Sequence, residues 1–136
     1  MRTRAALPIV VVGIALFLGT GSVWAHHAVV AEFDLSKPIT MRGTLTKLEW
    51  TNPHGWIHMD VKGADGKVEN WAFETGSPGR MQKRGLKKSD FRPGMELIIG
   101  GFPAKAVTRT AVGWIVTFPD REASYPAREA SFPLGR

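Results

Sequence analysis

The chain has 136 residues, a formal net charge of +6 and no cysteine. That length supports one core-bearing domain once a leader is set aside, and the missing cysteines exclude disulfide staples and thiol chemistry. The basic excess is too small to point to nucleic acid, though it suits weak contact with anionic surfaces.

Residues 1–25 read as a secretory signal peptide. Arg2 and Arg4 form a positive start, Ala5 to Leu18 is apolar apart from Pro8 and Gly13, and Val23-Trp24-Ala25 offers a small-residue cleavage site. The apolar run falls short of the roughly 20 residues a spanning helix needs. Cleavage is therefore expected after Ala25, with export to the periplasm or the cell exterior. No Cys lies near the cut to carry a lipid. Losing Arg2 and Arg4 lowers the net charge from +6 to +4.

The domain is expected over residues 26–120. His26-His27 opens it, and Asp34 to Pro38 reads as a turn into the first strand. Ile39 to Trp50 is strand-like, with Met41, Gly43 and Leu45 on one parity and Leu48 and Trp50 on the other. Such a parity switch predicts a bulge, and Gly43 eases the coil of the strand. Asn52-Pro53 ends the run, because Pro53 cannot donate to a ladder and keeps Asn52 out of the helical region. Gly55 is expected to let the chain turn back. Trp56 to Lys62 is a second strand, with Ile57, Met59 and Val61 opposite Trp56, His58 and Asp60. Asp65-Gly66 marks a hairpin, and Val68 to Thr75 returns with Trp71 and Phe73 on one face.

Ser77-Pro78 then predicts a helix start, and Gly85 a left-handed stop. Pro93-Gly94 marks a tight turn. Met95 to Gly100 is a fourth strand, 101–109 a loop, and Ala111 to Phe118 a fifth strand with Trp114, Val116 and Phe118 aligned. Three strands, a short helix and two strands predict a mainly β fold, a small five-stranded OB-like barrel with one short helix between strands 3 and 4. The competing arrangement is a meander sheet with a helix laid across it. Residues 121–136 carry a tandem seven-residue repeat, Arg121 to Ala127 and Arg128 to Leu134, and read as a mostly disordered extension.

Candidate chemistry gathers on Trp50-Thr51-Asn52-Pro53-His54-Gly55-Trp56-Ile57-His58, which holds two of the five Trp and two of the four His. Trp56 shares parity with His58, so Asn52, His54, Trp56, His58 and Glu74 could line a polar-aromatic groove. OB-like barrels use one open face and its rim loops in this way for oligosaccharides, peptides or oligonucleotides. Trp71 and Trp114 share parity with Phe73 and Phe118 and are expected to fill the barrel. The His set, His26, His27, His54 and His58, is also a candidate copper or zinc site, since a free amino terminus and imidazoles suit both ions. Glu49 or Asp60 could orient a ring. Equally, His26 and His27 could be a loose terminus, and His54 and His58 ordinary surface residues.

Arg80, Lys83, Arg84, Lys87 and Lys88 form a basic cluster around the short helix. It suits the helix dipole and solubility; its functional reading is weak contact with an anionic surface. No nucleophile stands on a sharp strand-to-helix turn and no phosphate-cradling glycine loop is present. The residues therefore favour a non-catalytic binding module of unknown ligand, with a copper or zinc protein as the alternative.

The His-His start after a signal peptide, Glu49-Trp50-Thr51-Asn52-Pro53-His54, Trp56-Ile57, Asp65-Gly66, Trp71, Arg84-Gly85 and Pro93-Gly94 together resemble a domain-of-unknown-function family of small exported bacterial proteins (family 6152). The resemblance spans about residues 26 to 120 and is most specific in Trp-Thr-Asn-Pro-His. Ala28 and Met95 depart from what that family often shows, Ser after the His pair and an acidic residue after Pro-Gly. The resemblance implies export and a compact β domain; it supplies no reaction.

Overall fold

A computed structural model describes residues 28–128 of the chain. The expected signal peptide, His26, His27 and residues 129–136 lie outside the described residues. Residues 28–32 are helical, and the compact β unit begins at Phe33. Six strands build it: β1 Ile39–Glu49, β2 Trp56–Lys62, β3 Val68–Glu74, β4 Glu96–Pro103, β5 Thr110–Phe118 and β6 Ala123–Pro126. Helix α1, Pro78–Lys83, connects β3 to β4 and is followed by a 3-10 turn at Lys88–Asp90.

The sheet runs β3-β2-β1-β4-β5-β6, and β3 also pairs with β5 in parallel. That last pairing closes a five-stranded barrel, the OB-like arrangement the element order predicts. Closure depends on β1 serving two neighbours. Its first half, Ile39 to Thr44, pairs with β4, and its second half, from Thr44 to Glu49, pairs with β2. The register shifts between Leu45 and Lys47, so the extra residue Thr46 moves the inward parity from Leu45 to Leu48. This is the bulge that the sequence parity predicts, and it bends the strand around the core. Gly43 sits where a Cβ would come within 2.6 Å of the Asp60 carbonyl oxygen, so close backbone approach excludes a larger residue there.

The core lies inside the barrel. Leu45, Ile57, Met59, Phe73, Leu97, Ile99, Val116 and Phe118 are buried together. Alternation on β2 and β3 places these residues inward and leaves Trp56, His58, Asp60 and Asn70 on the outer surface. Helix α1 closes one end of the barrel with fully buried Met81. Pro78 stands in the first turn, as the sequence predicts, although the Ser77 hydroxyl makes no capping bond. The stop at Gly85 is a Schellman motif: its φ is 91°, its N–H bonds to the Gln82 carbonyl, and the Leu86 N–H bonds to the Met81 carbonyl.

Two sequence expectations shift. β4 extends to Pro103 rather than stopping at Gly100, because Gly101, Phe102 and Pro103 continue the ladder to β5. The register also shifts between Gly100 and Gly101, so the alignment of Trp114 with Val116 and Phe118 is broken. Val116 and Phe118 belong to the barrel core, whereas Trp114 is buried outside that cluster, edge-on to Phe102 at 5.9 Å. Trp71 packs against the core cluster as expected.

The tail differs as well. Where the sequence suggests a loose extension from residue 121, Ala123–Pro126 pairs antiparallel with Ile115 to Phe118 of β5. β3 uses the same edge of β5 for Thr110 to Val112, so β6 covers the part of that edge that β3 leaves. Tyr125 stands edge-on to Phe118 at 5.9 Å, and Ala127 is fully buried in the core cluster. The first repeat copy thus supplies alternating inward residues, Tyr125 and Ala127, which stabilise it as a strand.

Candidate functional site: the outer face of β2

The candidate residues sit on the outer surface of the barrel where β1, β2 and β3 end together. Cross-strand register fixes the arrangement. Glu49 lies opposite Trp56, which in turn lies opposite Glu74; Lys47 lies opposite His58, which lies opposite Ala72. Opposed residues share a face, so one half-buried indole is flanked by a carboxylate on each neighbouring strand.

Each carboxylate holds one histidine. His54 Nδ1 lies 2.7 Å from Glu74 Oε1. His58 Nε2 donates to Glu49 Oε1 at 2.9 Å. The opposite ring nitrogen is used in the two cases, which leaves His54 Nε2 and His58 Nδ1 as the remaining polar atoms of the rings. Both pairs also recruit a cation. Arg128 Nη1 donates to Glu74 Oε1 at 3.0 Å, and Lys47 Nζ donates to Glu49 Oε1 at 2.8 Å. The Lys47 hydrogen bond and, secondarily, the His58 bond hold the Glu49 carboxyl below its usual range.

The local backbone explains how His54 reaches Glu74. The Gly55 N–H bonds to the Gly76 carbonyl at 3.1 Å and the Thr75 N–H to the Gly55 carbonyl at 2.9 Å. These bonds continue the β2–β3 pairing past Trp56 and keep His54 on the Trp56 side. Gly55 is needed for packing rather than for a positive φ: a Cβ there would meet Thr75 Oγ1 at 2.8 Å and Met81 Cε at 3.0 Å. The turn before it contains the cis Asn52–Pro53 bond. The Thr51 hydroxyl donates to the His54 carbonyl at 3.2 Å, and Trp50 anchors the loop on Phe91 with ring centroids 6.0 Å apart.

Of the sequence candidates, His54, Trp56, His58 and Glu74 are brought to one face, and Asn52 is exposed in the adjoining turn. The two imidazoles bind different carboxylates. Among the described residues no group of three or more His, Cys, Asp or Glu gathers to hold a metal ion, while His26 and His27 lie outside them. Glu49, named as a possible ring orienter, takes that role for His58; Asp60 instead accepts from Asn70 Nδ2 at 2.9 Å. Lys47 and Arg128 complete the site and were not among the sequence candidates. Lys47 could have been found from strand parity with Glu49. Arg128 could have been found only by reading Ala123, Tyr125 and Ala127 as strand alternation.

The tail positions Arg128 by backbone bonds. The Ala127 N–H donates to the Trp114 carbonyl at 2.8 Å, and the Ala127 carbonyl accepts the Gly76 N–H at 2.9 Å. A separate apolar groove of about 180 Å³ lies on the barrel wall, lined by Ile39, Phe102, Trp114 and Ile115 among others. It contains none of the candidate residues.

A family of unknown function (DUF6152) matches residues 15–113. The chain belongs to this family. The match covers β1 to β4 and the start of β5, including the whole His54–Trp56–His58 row, and ends before β6 and Arg128. No curated protein and no solved structure matches the chain.

Proposed function

We propose that this is an exported binding module whose ligand seats on Trp56, between the two histidine–carboxylate pairs. The observation that carries the reading is the register Glu49–Trp56–Glu74, with a histidine fixed by each carboxylate. A half-buried indole offers a flat apolar platform with low conformational freedom. Donors and acceptors held on both sides select a ligand that has an apolar face and a polar rim, as a pyranose ring does. The outer face of strands 2 and 3 is also where OB-like barrels carry ligands. Export rests on the amino-terminal pattern of Arg2, Arg4 and the apolar run to Leu18.

Titration of the purified protein with defined hexasaccharides, followed by NMR, tests the reading. Perturbation should concentrate on the Trp56 indole N–H and the rings of His54 and His58. Trp56→Ala should weaken binding about tenfold, as loss of a central aromatic anchor does. Perturbations confined to other surfaces would overturn the reading.

A second reading, copper or zinc binding, has one observation in its favour. Metal-ligating imidazoles commonly set their other nitrogen against a carboxylate, and His54 and His58 each hold one ring nitrogen within 3 Å of one. Cu(II) and Zn(II) titration of protein with a native His26 terminus tests it. One-to-one binding lost on His54→Ala or His58→Ala supports it, and binding unchanged by either contradicts it.

A further inference from the structure

The positive charge of the described domain is not spread over it. Residues 80–92 contain six basic side chains, Arg80, Lys83, Arg84, Lys87, Lys88 and Arg92, and one acid, Asp90. The remaining described residues hold nine basic and ten acidic side chains. The excess thus belongs to one segment, α1 and the turn that follows it. Elsewhere most cations are matched, among them Arg42 with Glu96, Lys47 with Glu49, Arg109 with Glu69 and Arg128 with Glu74. In the basic segment Asp90 is already engaged, by Arg121 at 3.2 Å and by the Lys87 N–H at 2.7 Å. Lys83, Lys87 and Lys88 are exposed and enter no ion pair among the described residues.

Such a segment repels itself, and helix-dipole relief at a six-residue helix is small. Its apolar residues, Met81, Leu86 and Phe91, are all turned into the core. The exposed large hydrophobics of the described chain, Val30, Val68, Val107 and Ile115, lie outside it. The segment therefore offers charge without an apolar wedge for a bilayer. It also adjoins the Trp56 face. Gly76, whose carbonyl accepts the Gly55 N–H, stands where an added Cβ would lie 3.7 Å from Arg80 Cβ. Buried Gly76 thus links Glu74 of the Trp56 face to the start of the basic segment.

We propose that the ligand is an acidic glycan chain, one ring stacking on Trp56 while carboxylate or sulfate groups of neighbouring rings meet Lys83, Lys87 and Lys88. This rests on the Trp56 reading for the stacking half and on charge complementarity for the other. An exported protein meets glycan polyanions, whereas a bilayer needs the apolar insertion that this face lacks.

Binding is measured with hexagalacturonate and a sulfated heparin hexasaccharide, with maltohexaose as the neutral control, at two salt concentrations. Two proteins are compared with the unaltered chain: the triple variant Lys83→Gln, Lys87→Gln, Lys88→Gln, and Trp56→Ala, both checked for fold by circular dichroism. The acidic hexasaccharides should bind more tightly than the neutral one and lose affinity with salt, as polyanion ligands do when they release counterions. The triple variant should lose about tenfold in affinity and show a flatter salt dependence. Trp56→Ala should lose affinity with the salt dependence unchanged. A triple variant that binds acidic hexasaccharides as the unaltered chain does overturns the inference, while loss confined to Trp56→Ala leaves the Trp56 reading standing. Loss confined to the triple variant removes the Trp56 reading and keeps the basic face. Preference for phosphatidylglycerol vesicles or single-stranded DNA over both acidic hexasaccharides also overturns it.

Discussion

The two histidine–carboxylate pairs beside Trp56 have the same composition and different physics. Glu74 is 8% exposed and Arg128 13%, whereas Glu49 is 34% exposed and Lys47 65%. The Glu74–Arg128 pair is mostly buried; the Glu49–Lys47 pair stands largely in solvent. A carboxylate removed from water must be matched, since an uncompensated buried charge is costly. An exposed ion pair is screened and contributes little. The same chemical motif is therefore a structural latch on one side of Trp56 and an exposed, weakly held pair on the other. The contrast lies in the carboxylates and their cations, since the His54 ring is 42% exposed and the His58 ring 22%.

The largest way to break this contrast is Glu74→Ala. It leaves Arg128 without its carboxylate in a mostly buried position, and urea unfolding should show a loss of roughly 3 kcal/mol. Arg128→Ala should lose about 2 kcal/mol, because Glu74 keeps His54 as a neighbour at 2.7 Å. A double-mutant cycle between these two should give a coupling well above that of a surface pair. Glu49→Ala should lower the urea midpoint only slightly, far less than Arg128→Ala, with its main effect on ligand affinity. The smallest effect is with pH. The Glu49 carboxyl is held below its ordinary 4.5 by Lys47 and then His58. Its contribution to stability is therefore present above the ordinary value and lost as pH falls through the lowered one. Urea midpoints at pH 6 and pH 3.5 should converge slightly in Glu49→Gln. A wider gap in the variant would contradict the assignment.

Much of this architecture could be read from local pattern. The parity switch across Thr46, the Asp65-Gly66 hairpin, the Gly85 stop and the outward parity of Trp56 with His58 are properties of short stretches, and each is where the pattern puts it. What was hidden depends on contacts between distant stretches. The β1–β2 register that sets Glu49 beside His58 follows from the length and shape of the 50–55 loop, which residue types alone do not encode. Trp114 leaves the barrel because the ladder slips at Gly100/Gly101, a feature of the pair of strands rather than of either sequence. Arg128 was concealed by composition: a repeat rich in Arg, Glu, Ala and Ser looks unstructured until Tyr125 meets Phe118 and Ala127 enters the core. Gly55 was read as a turn residue, although its role is the close approach of Thr75 and Met81.

The central claim is that the face around Trp56 is held in a fixed hydrogen-bonding pattern before any ligand arrives. Long-range nitrogen–proton NMR of the two imidazoles at pH 8.5, above the ordinary histidine range, tests it most directly. The geometry predicts opposite tautomers, with the proton on Nδ1 in His54 and on Nε2 in His58. It also predicts that Glu74→Ala releases the first and leaves the second unchanged. Mixed tautomers in both rings, or the same tautomer in each, would contradict a pre-arranged site.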